Sequence, residues 1–277
     1  MTEDVLTDAP PGGRPHDRPL AVVTGASSGI GRELARQFAE HGFDLLITAE
    51  DAELAEAKRD LEGTGVRVDA VTADLRRYDG CEAAWAAIRA AGPVDAVAFN
   101  AGIGAGGPFI EVDLQAHLDV VHLNVSSQVH LARRVLPDMV ARGEGRVLFT
   151  SSIAATQPGP FQSVYSASKA FLYSLAEALR EELKDTGVTV TALLPGPTDT
   201  EFFGRADMQD TKVATGSKDD PADVARDGFE ALMSGKDHVV AGAFRNKVQA
   251  AAAKVLPERA KSAAHRRMSE PGSGDDG

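Results

Sequence analysis

Short β-branched runs alternate with helical segments from Leu20 to Val240, and that alternation restricts the chain to very few architectures. "LAVVT", "LLIT", "VRVDAVTA", "VDAVAFN", "RVLFTS", "VTVTALLP" and "HVVAG" read as strands, each set between segments of helical spacing. Ile30, Leu34 and Phe38 recur every four residues and make one apolar stripe, and "YDGCEAAWAAIRAA" and "AFLYSLAEALREELKD" are patterned alike. Several strands are apolar at nearly every residue, as expected where helices cover both faces of a sheet. The pattern predicts an α/β fold: a three-layer, doubly wound parallel sheet of about seven strands with helices on both faces. A length of 277 residues suits one such domain or two smaller ones, and the alternation without any internal repeat favours a single domain over 19–243.

Three stretches fall outside the pattern. Residues 1–18, acidic and rich in Pro and Gly, read as a disordered lead-in with no apolar core of a signal peptide. Residues 202–218, "FFGRADMQDTKVATGSK", interrupt the alternation with a polar loop that starts on Phe202 and Phe203. Residues 244–277 are Ala-rich and basic, then end in "SEPGSGDDG", and read as a basic helical tail with a frayed end. The tail's charge leaves a partner or membrane contact open.

A formal net charge of −12 and a pI near 5.0 argue against a nucleic-acid partner, whose footprint would be basic. No stretch has the apolar length that spans a bilayer, so the expectation is a cytoplasmic protein. Cys81 is the single cysteine, which excludes an internal disulfide and a thiolate metal cluster and is expected to be a packed, inert thiol. His117, His122 and His130 fall around one predicted helix, but no two stand in H-x-x-x-H spacing, and no metal site is expected.

"VVTGASSGIGRELA" joins the first strand to the first long helix, with Gly25, Gly29 and Gly31 spaced G-x-x-x-G-x-G. This is neither a P-loop nor G-x-G-x-x-G, but the physics is shared: glycine lets the backbone approach a phosphate, and a helix N-terminus offers free N–H groups. Ser27 and Ser28 add hydroxyls. After the first strand of a doubly wound sheet, such a loop points to nucleotide binding. "SVYSASKAF" sets Tyr165 and Lys169 one helical turn apart on one face. A phenol ionises near ~10, and a fixed ammonium beside it is expected to bring that value toward the working range of an acid/base. Ser151 and Ser152, "FNAG" and "LLPGPTDT" all close predicted strands, at the edge where a parallel sheet presents its ligand crevice. Asn124 falls inside an otherwise amphipathic helix.

In their order and spacing, "TGASSGIG", "NAG", Asn124, Ser152, "YSASK" and "PGPTDT" resemble the short-chain dehydrogenase/reductase family over about Leu20 to Val240. The resemblance implies a Rossmann-type fold and NAD(P)-dependent hydride transfer between a secondary alcohol and a ketone, with no metal. It implies Tyr165 as general acid/base, Ser152 on the same substrate oxygen, Lys169 on the nicotinamide ribose, and Asn124 organising a water-linked proton path. For the cofactor it implies contacts from Gly25, Ser27, Ser28, Gly29, Ile30 and Gly31. Further contacts are implied for Asp74 and Leu75 at the adenine, for Asn100, Ala101 and Gly102, and for Pro195, Gly196, Thr198 and Thr200 about the nicotinamide. The 202–218 loop would close over the substrate, with Phe109, Phe161, Phe202 and Phe203 offering an apolar portion. The resemblance also implies a homodimer or homotetramer. One departure is Phe99, where the family often has asparagine; it is expected to pack under the sheet.

Two other readings fit the same motifs, a non-catalytic nucleotide-binding sensor and an epimerase or dehydratase using the same Tyr/Lys pair. For the cofactor, "LLITAEDAEL" ends the second strand on Glu50, Asp51 and Glu53. An acid there accepts hydrogen bonds from ribose hydroxyls and repels a 2′-phosphate, so Glu50 favours NAD over NADP.

Overall fold

The computed structural model describes residues 18–243, 246 and 257–275. The lead-in expected at 1–18 lies outside the described residues except for Arg18, as do 244–245, 247–256 and 276–277 of the expected tail.

The chain builds β1 (Leu20–Thr24), α1 (Gly29–Glu40), β2 (Asp44–Ala49), α2 (Leu54–Glu62), β3 (Val68–Thr72), α3 (Tyr78–Ala91) and β4 (Ala96–Phe99). It continues through α4 (Leu114–Val121), α5 (Ser127–Arg142), β5 (Gly145–Thr150), α6 (Ser163–Leu183), β6 (Val188–Leu194), α7 (Phe202–Arg205), α8 (Lys212–Thr215), α9 (Pro221–Met233), β7 (His238–Val240) and α10 (Glu258–Ser269). The seven strands form one sheet in the order β3-β2-β1-β4-β5-β6-β7. Every pairing is parallel. This is the doubly wound sheet that the alternation predicts.

Strand parity sorts the core. Leu20 and Val22 of β1 join Val97, Phe99, Val147 and Phe149 on one face, under α3, α5 and α6. Ala21 and Val23 join Ile47, Ala98 and Leu148 on the other, under α1 and α9. Successive side chains of a strand point to opposite faces, so a run of consecutive apolar residues is what two covered faces require. On α1 the stripe is completed by Ala35 and Ala39 beside the buried Leu34 and Phe38, while Ile30 is half-buried at the helix start. Phe38 meets the edges of Phe43 and Phe229, with ring centroids 5.3 and 5.2 Å away.

Two local structures differ from the sequence expectation. The 202–218 stretch is not an open loop: it folds as α7 and α8 about its own small core of Phe203, Ala206, Met208 and Ala214. Asn124 sits not in a regular α-helix but in a π-helical turn, His122–Ser126, that joins α4 to α5. Such turns widen a helix by one residue and recur where a side chain must be aimed inward. Among the described residues, no helix is long and apolar enough to cross a membrane.

The order of strands reverses at β1, whose neighbours are β2 and β4, and a crevice opens beyond the C-terminal ends of these strands. Phe99 ends β4 there, fully buried and stacked on Phe149 at 5.1 Å between ring centroids. Phe99→Asn would remove that ring and leave an amide among apolar side chains. It is expected to destabilise the fold by roughly 3–5 kcal/mol, read as a lower urea midpoint.

Candidate active site

The glycine loop is locked to the end of β4 by one threonine and one asparagine. Thr24 Oγ1 accepts from the backbone N–H groups of Asn100 and Ala101, both at 3.0 Å. Asn100 Nδ2 donates back to the carbonyls of Thr24 and Gly25, at 3.2 and 3.3 Å. Gly25 has φ +67°, and a Cβ there would lie 2.8 Å from Ala101 Cα. A Cβ on Gly31 would overlap the Gly25 carbonyl and Asn100 Nδ2. Small residues are therefore required on both sides of the cradle. The first turn of α1 opens into it, and the N-cap Ser28 spends no side-chain hydrogen bond on the helix. Free N–H groups at a long helix's N-terminus and a backbone stripped of Cβ atoms fit the pyrophosphate of a dinucleotide.

A single cleft runs from this loop to the catalytic candidates. It is bordered by every position proposed from the sequence for cofactor contact: Gly25, Ser27, Ser28, Gly29, Ile30, Gly31, Glu50, Asp74, Leu75, Asn100, Ala101, Gly102, Tyr165, Lys169, Pro195, Gly196, Thr198 and Thr200. Ser152 lines it as well, whereas Asn124 stands behind its wall. Asn124 is fully buried, and its amide is committed: Oδ1 accepts from Ile103 N, and Nδ2 donates to Ile103 O and Ser168 Oγ, each at 2.9 Å. Its side chain thus clamps the strand-end segment carrying Asn100 to Ile103 onto α6.

Tyr165 and Lys169 project from the first turns of α6. Tyr165 is half-buried, and its hydroxyl lies beside Ser152. Lys169 is buried; its Nζ donates to the Thr150 carbonyl at 2.8 Å and stands 5.8 Å from the Tyr165 ring centroid. Of the two serines after β5, Ser151 is tied to the Lys169 carbonyl at 2.7 Å, whereas Ser152 Oγ accepts from Ala154 N at 3.1 Å and donates to the Pro195 carbonyl at 3.4 Å, beside Tyr165. The sequence expectation of a depressed phenol is reversed in the free protein. Burial pushes Tyr165 up to about 12, partly offset by the Ser152 hydrogen bond. Burial likewise lowers the Lys169 ammonium to about 8. Each group is held toward its neutral form because neither finds a full counter-charge.

The acids after β2 do not face water alone. Glu50 pairs with Arg76 at 2.5 Å, and Arg76 also meets Asp74 at 2.8 Å and Asp119 at 3.5 Å. Asp51 accepts from Ser27 Oγ at 2.9 Å. Arg205 of α7 reaches Asp51 and Glu53 at 3.8 and 3.7 Å, so the loop after β6 is bridged across the cleft mouth to β2. Nothing in the local sequence pairs these groups, because the partners lie far along the chain.

Phe202 stands beside Tyr165, with ring centroids 5.0 Å apart, and Phe203 also borders the cleft. The expectation for Phe109 and Phe161 is corrected. Phe109 is largely exposed and stacks on His117, and neither residue lines the cleft. The apolar wall is instead completed by Ile103, Val213 and Met268. His130 does not look toward the cleft either; it shares Glu82 with Arg134. Cys81 is buried, its thiol facing the Leu75 carbonyl at 3.3 Å and pushed up to about 11 by burial. This is the inert packing that the sequence suggests.

A doubly wound parallel sheet with a glycine cradle at its switch point is the architecture of a dinucleotide-binding enzyme. The family model for short chain dehydrogenase matches residues 19–211. The chain is 32% identical over 217 residues to oxidoreductase UcpA of Salmonella typhimurium, covering 76% of this chain and 79% of that one. Among solved structures it resembles a short-chain dehydrogenase from Sphingobium yanoikuyae in complex with NADPH, with TM-score 0.75, 30% identity and coverage of 80% and 87%. A short chain dehydrogenase/reductase from Burkholderia phymatum in complex with NAD matches with TM-score 0.73, 28% identity and coverage of 81% and 89%. The chain belongs to the short-chain dehydrogenase family, and is an oxidoreductase with an NAD(P) site.

The depressed Lys169 value has a consequence for stability. The unfolded chain keeps the lysine proton up to about 10.5, whereas the folded protein releases it near 8. Between these values the unfolded state binds more protons, so this group makes stability rise with pH, and its burial penalty is fully present below 8. Lys169→Met is expected to raise stability at pH 7 by roughly 1–3 kcal/mol, after loss of the Thr150 hydrogen bond. The gain should shrink as pH climbs from 8 toward 10.5, as read by urea unfolding of both proteins across that range.

Proposed function

We propose that this protein interconverts a secondary alcohol and a ketone, with Tyr165 as general acid/base. The observation that carries the reading is the meeting of the Tyr165 hydroxyl, Ser152 and Lys169 in one cleft with the glycine cradle. A nicotinamide cofactor held in the cradle would supply the hydride chemistry at the substrate carbon. In reduction, the Tyr165 hydroxyl gives its proton to the carbonyl oxygen while Ser152 Oγ donates a hydrogen bond to the same atom. Burial keeps Tyr165 protonated at neutral pH, the form that acts as the acid in reduction. Lys169, anchored on Thr150, borders the same cleft, and Asn124 holds the segment Asn100 to Ile103 that lines it.

NAD is the favoured cofactor in this reading. Arg76, the cation beside Glu50, is shared by Glu50, Asp74 and Asp119, so three carboxylates surround one guanidinium. A 2′-phosphate near Glu50 would meet a repulsion of about 1 kcal/mol or more.

Tyr165→Phe is expected to reduce kcat by about 10²–10⁴ while cofactor affinity stays within a few-fold, as followed by nicotinamide absorbance and cofactor titration. A variant with near-normal kcat would remove Tyr165 from the chemistry. For the cofactor, kcat/KM of the wild type should be higher with NAD than with NADP. Glu50→Arg should shift that ratio toward NADP by roughly tenfold, and an unmoved ratio would show that Glu50 does not read the ribose.

A further inference from the structure

The chain that leaves β7 returns to the cleft from behind. Ala241 N donates to the Leu194 carbonyl at 3.1 Å, so this exit lies beside the end of β6. Asn246 follows, 1% exposed, with its backbone N–H on the Ala243 carbonyl at 2.9 Å. Its side-chain Nδ2 donates to Asp219 Oδ2 at 2.5 Å and to the Ala241 carbonyl at 2.9 Å. An amide nitrogen carries two protons, so these two acceptors fix which way the amide points. Asp219 and Asn246 both lie beyond residue 211, where the family match ends.

Asp219 is the other half of this clamp. Its side chain is buried, and Oδ1 accepts from Ala243 N at 3.2 Å. A buried carboxylate needs donors around it, and Asn246 is one of them. The Asp219 backbone pairs with the segment after β6. Asp219 N donates to the Pro197 carbonyl at 2.8 Å, and Asp199 N donates to the Asp219 carbonyl at 2.9 Å. The Asn246 amide also packs directly on Gly196. A Cβ on Gly196 would overlap Nδ2, Cγ and Oδ1 of Asn246 alike, so the flat face of the amide lies against the glycine. Gly196 has no left-handed φ, so the amide, and not the backbone conformation, excludes a side chain there.

The clamped segment connects Ser152 to the glycine cradle. At one end the Pro195 carbonyl accepts from Ile153 N at 3.0 Å and from Ser152 Oγ at 3.4 Å. At the other, Thr200 closes on the cradle, where a Cβ on Gly29 would meet Thr200 Cγ2 at 2.9 Å. Pro195, Gly196, Pro197, Thr198 and Thr200 all line the cleft, and Asn246 does not. A dinucleotide with its pyrophosphate in the cradle and its reacting ring near Ser152 passes along this wall.

We propose that Asn246 is a positioning residue for the cofactor: through Gly196 and Asp219 it sets the wall that Pro195 to Thr198 present to the nicotinamide. This rests on the NAD(P) site described above, with its nicotinamide end at Ser152.

The test uses the full chain and two ligands, NADH and ADP-ribose, which lacks the nicotinamide. In Asn246→Ala, ADP-ribose affinity should stay within about twofold of wild type, which also reports that the fold is intact. NADH should weaken by about fivefold or more, and the fluorescence emission of bound NADH should move toward that of free NADH. Gly196→Ala should weaken NADH by about tenfold, because the new methyl meets the amide, and the double variant with Asn246→Ala should bind NADH more tightly than Gly196→Ala alone. Equal losses for NADH and ADP-ribose would mark a purely structural residue and overturn the proposal. So would unchanged NADH affinity and emission in Asn246→Ala, or losses that merely add in the double variant. Wild-type protein whose bound NADH emits as free NADH does would instead overturn the nicotinamide end of the site, and the proposal with it.

Discussion

The lock between Thr24 and Asn100 is the contact on which the rest of the site depends. It joins the ends of β1 and β4, the two strands that flank the reversal of strand order. The glycine cradle is held open from one side by Gly25 and Gly31 and from the other by this asparagine. Asn124 extends the lock by a second clamp on Ile103, and Ser168 carries it to α6, the helix of Tyr165 and Lys169. The cradle and the face of α6 that carries Tyr165 and Lys169 are therefore one hydrogen-bonded unit.

Burial sets the electrostatics of that unit. Tyr165 is held neutral and Lys169 is biased the same way, because both were taken from water and given neutral hydrogen-bond partners. A site so arranged has unused electrostatic demand, which a charged or polar ligand answers on binding. The acids at the end of β2 show the opposite solution: they are exposed and offset by Arg76 and Arg205.

The cleft has two walls of different origin. The wall made by strand ends and the first turn of α1 comes from the sheet and falls within the matched family region. The opposite wall comes from α7, α8 and α10, which meet through Asp210, Lys212 and Ser273.

The sheet, its parallel pairing and most of the cofactor cradle were legible in the sequence because their signals are local. Period-two and period-four patterns reveal strands and helices, glycine reveals close backbone approach, and strand ends in a doubly wound sheet converge by topology. Tyr165 and Lys169 were legible for the same reason, being one turn apart on one helix. Their titration was not, because the expected lowering of the phenol assumed a nearby charge and ignored enclosure, which only tertiary packing reveals. The partners of Glu50 and Asp51 were hidden because Arg76 and Arg205 lie 26 and 154 residues away. Phe109 was misassigned because aromatic character does not say which side of a loop faces the cleft. The docking of α10 carried a single signal, the spacing of Lys261, His265 and Ser269 on one helical face, and a polar stripe reads as solvent-facing until the fold shows that it is buried. Asn246 carried none, because the glycine it packs against lies 50 residues earlier in the chain. The sequence determined which segments make the sheet and where its crevice opens, since these follow from short-range sterics and periodicity; only the tertiary structure decided which charges pair, which groups lose water and which distant helix closes the site, since these depend on contacts between residues far apart in the chain.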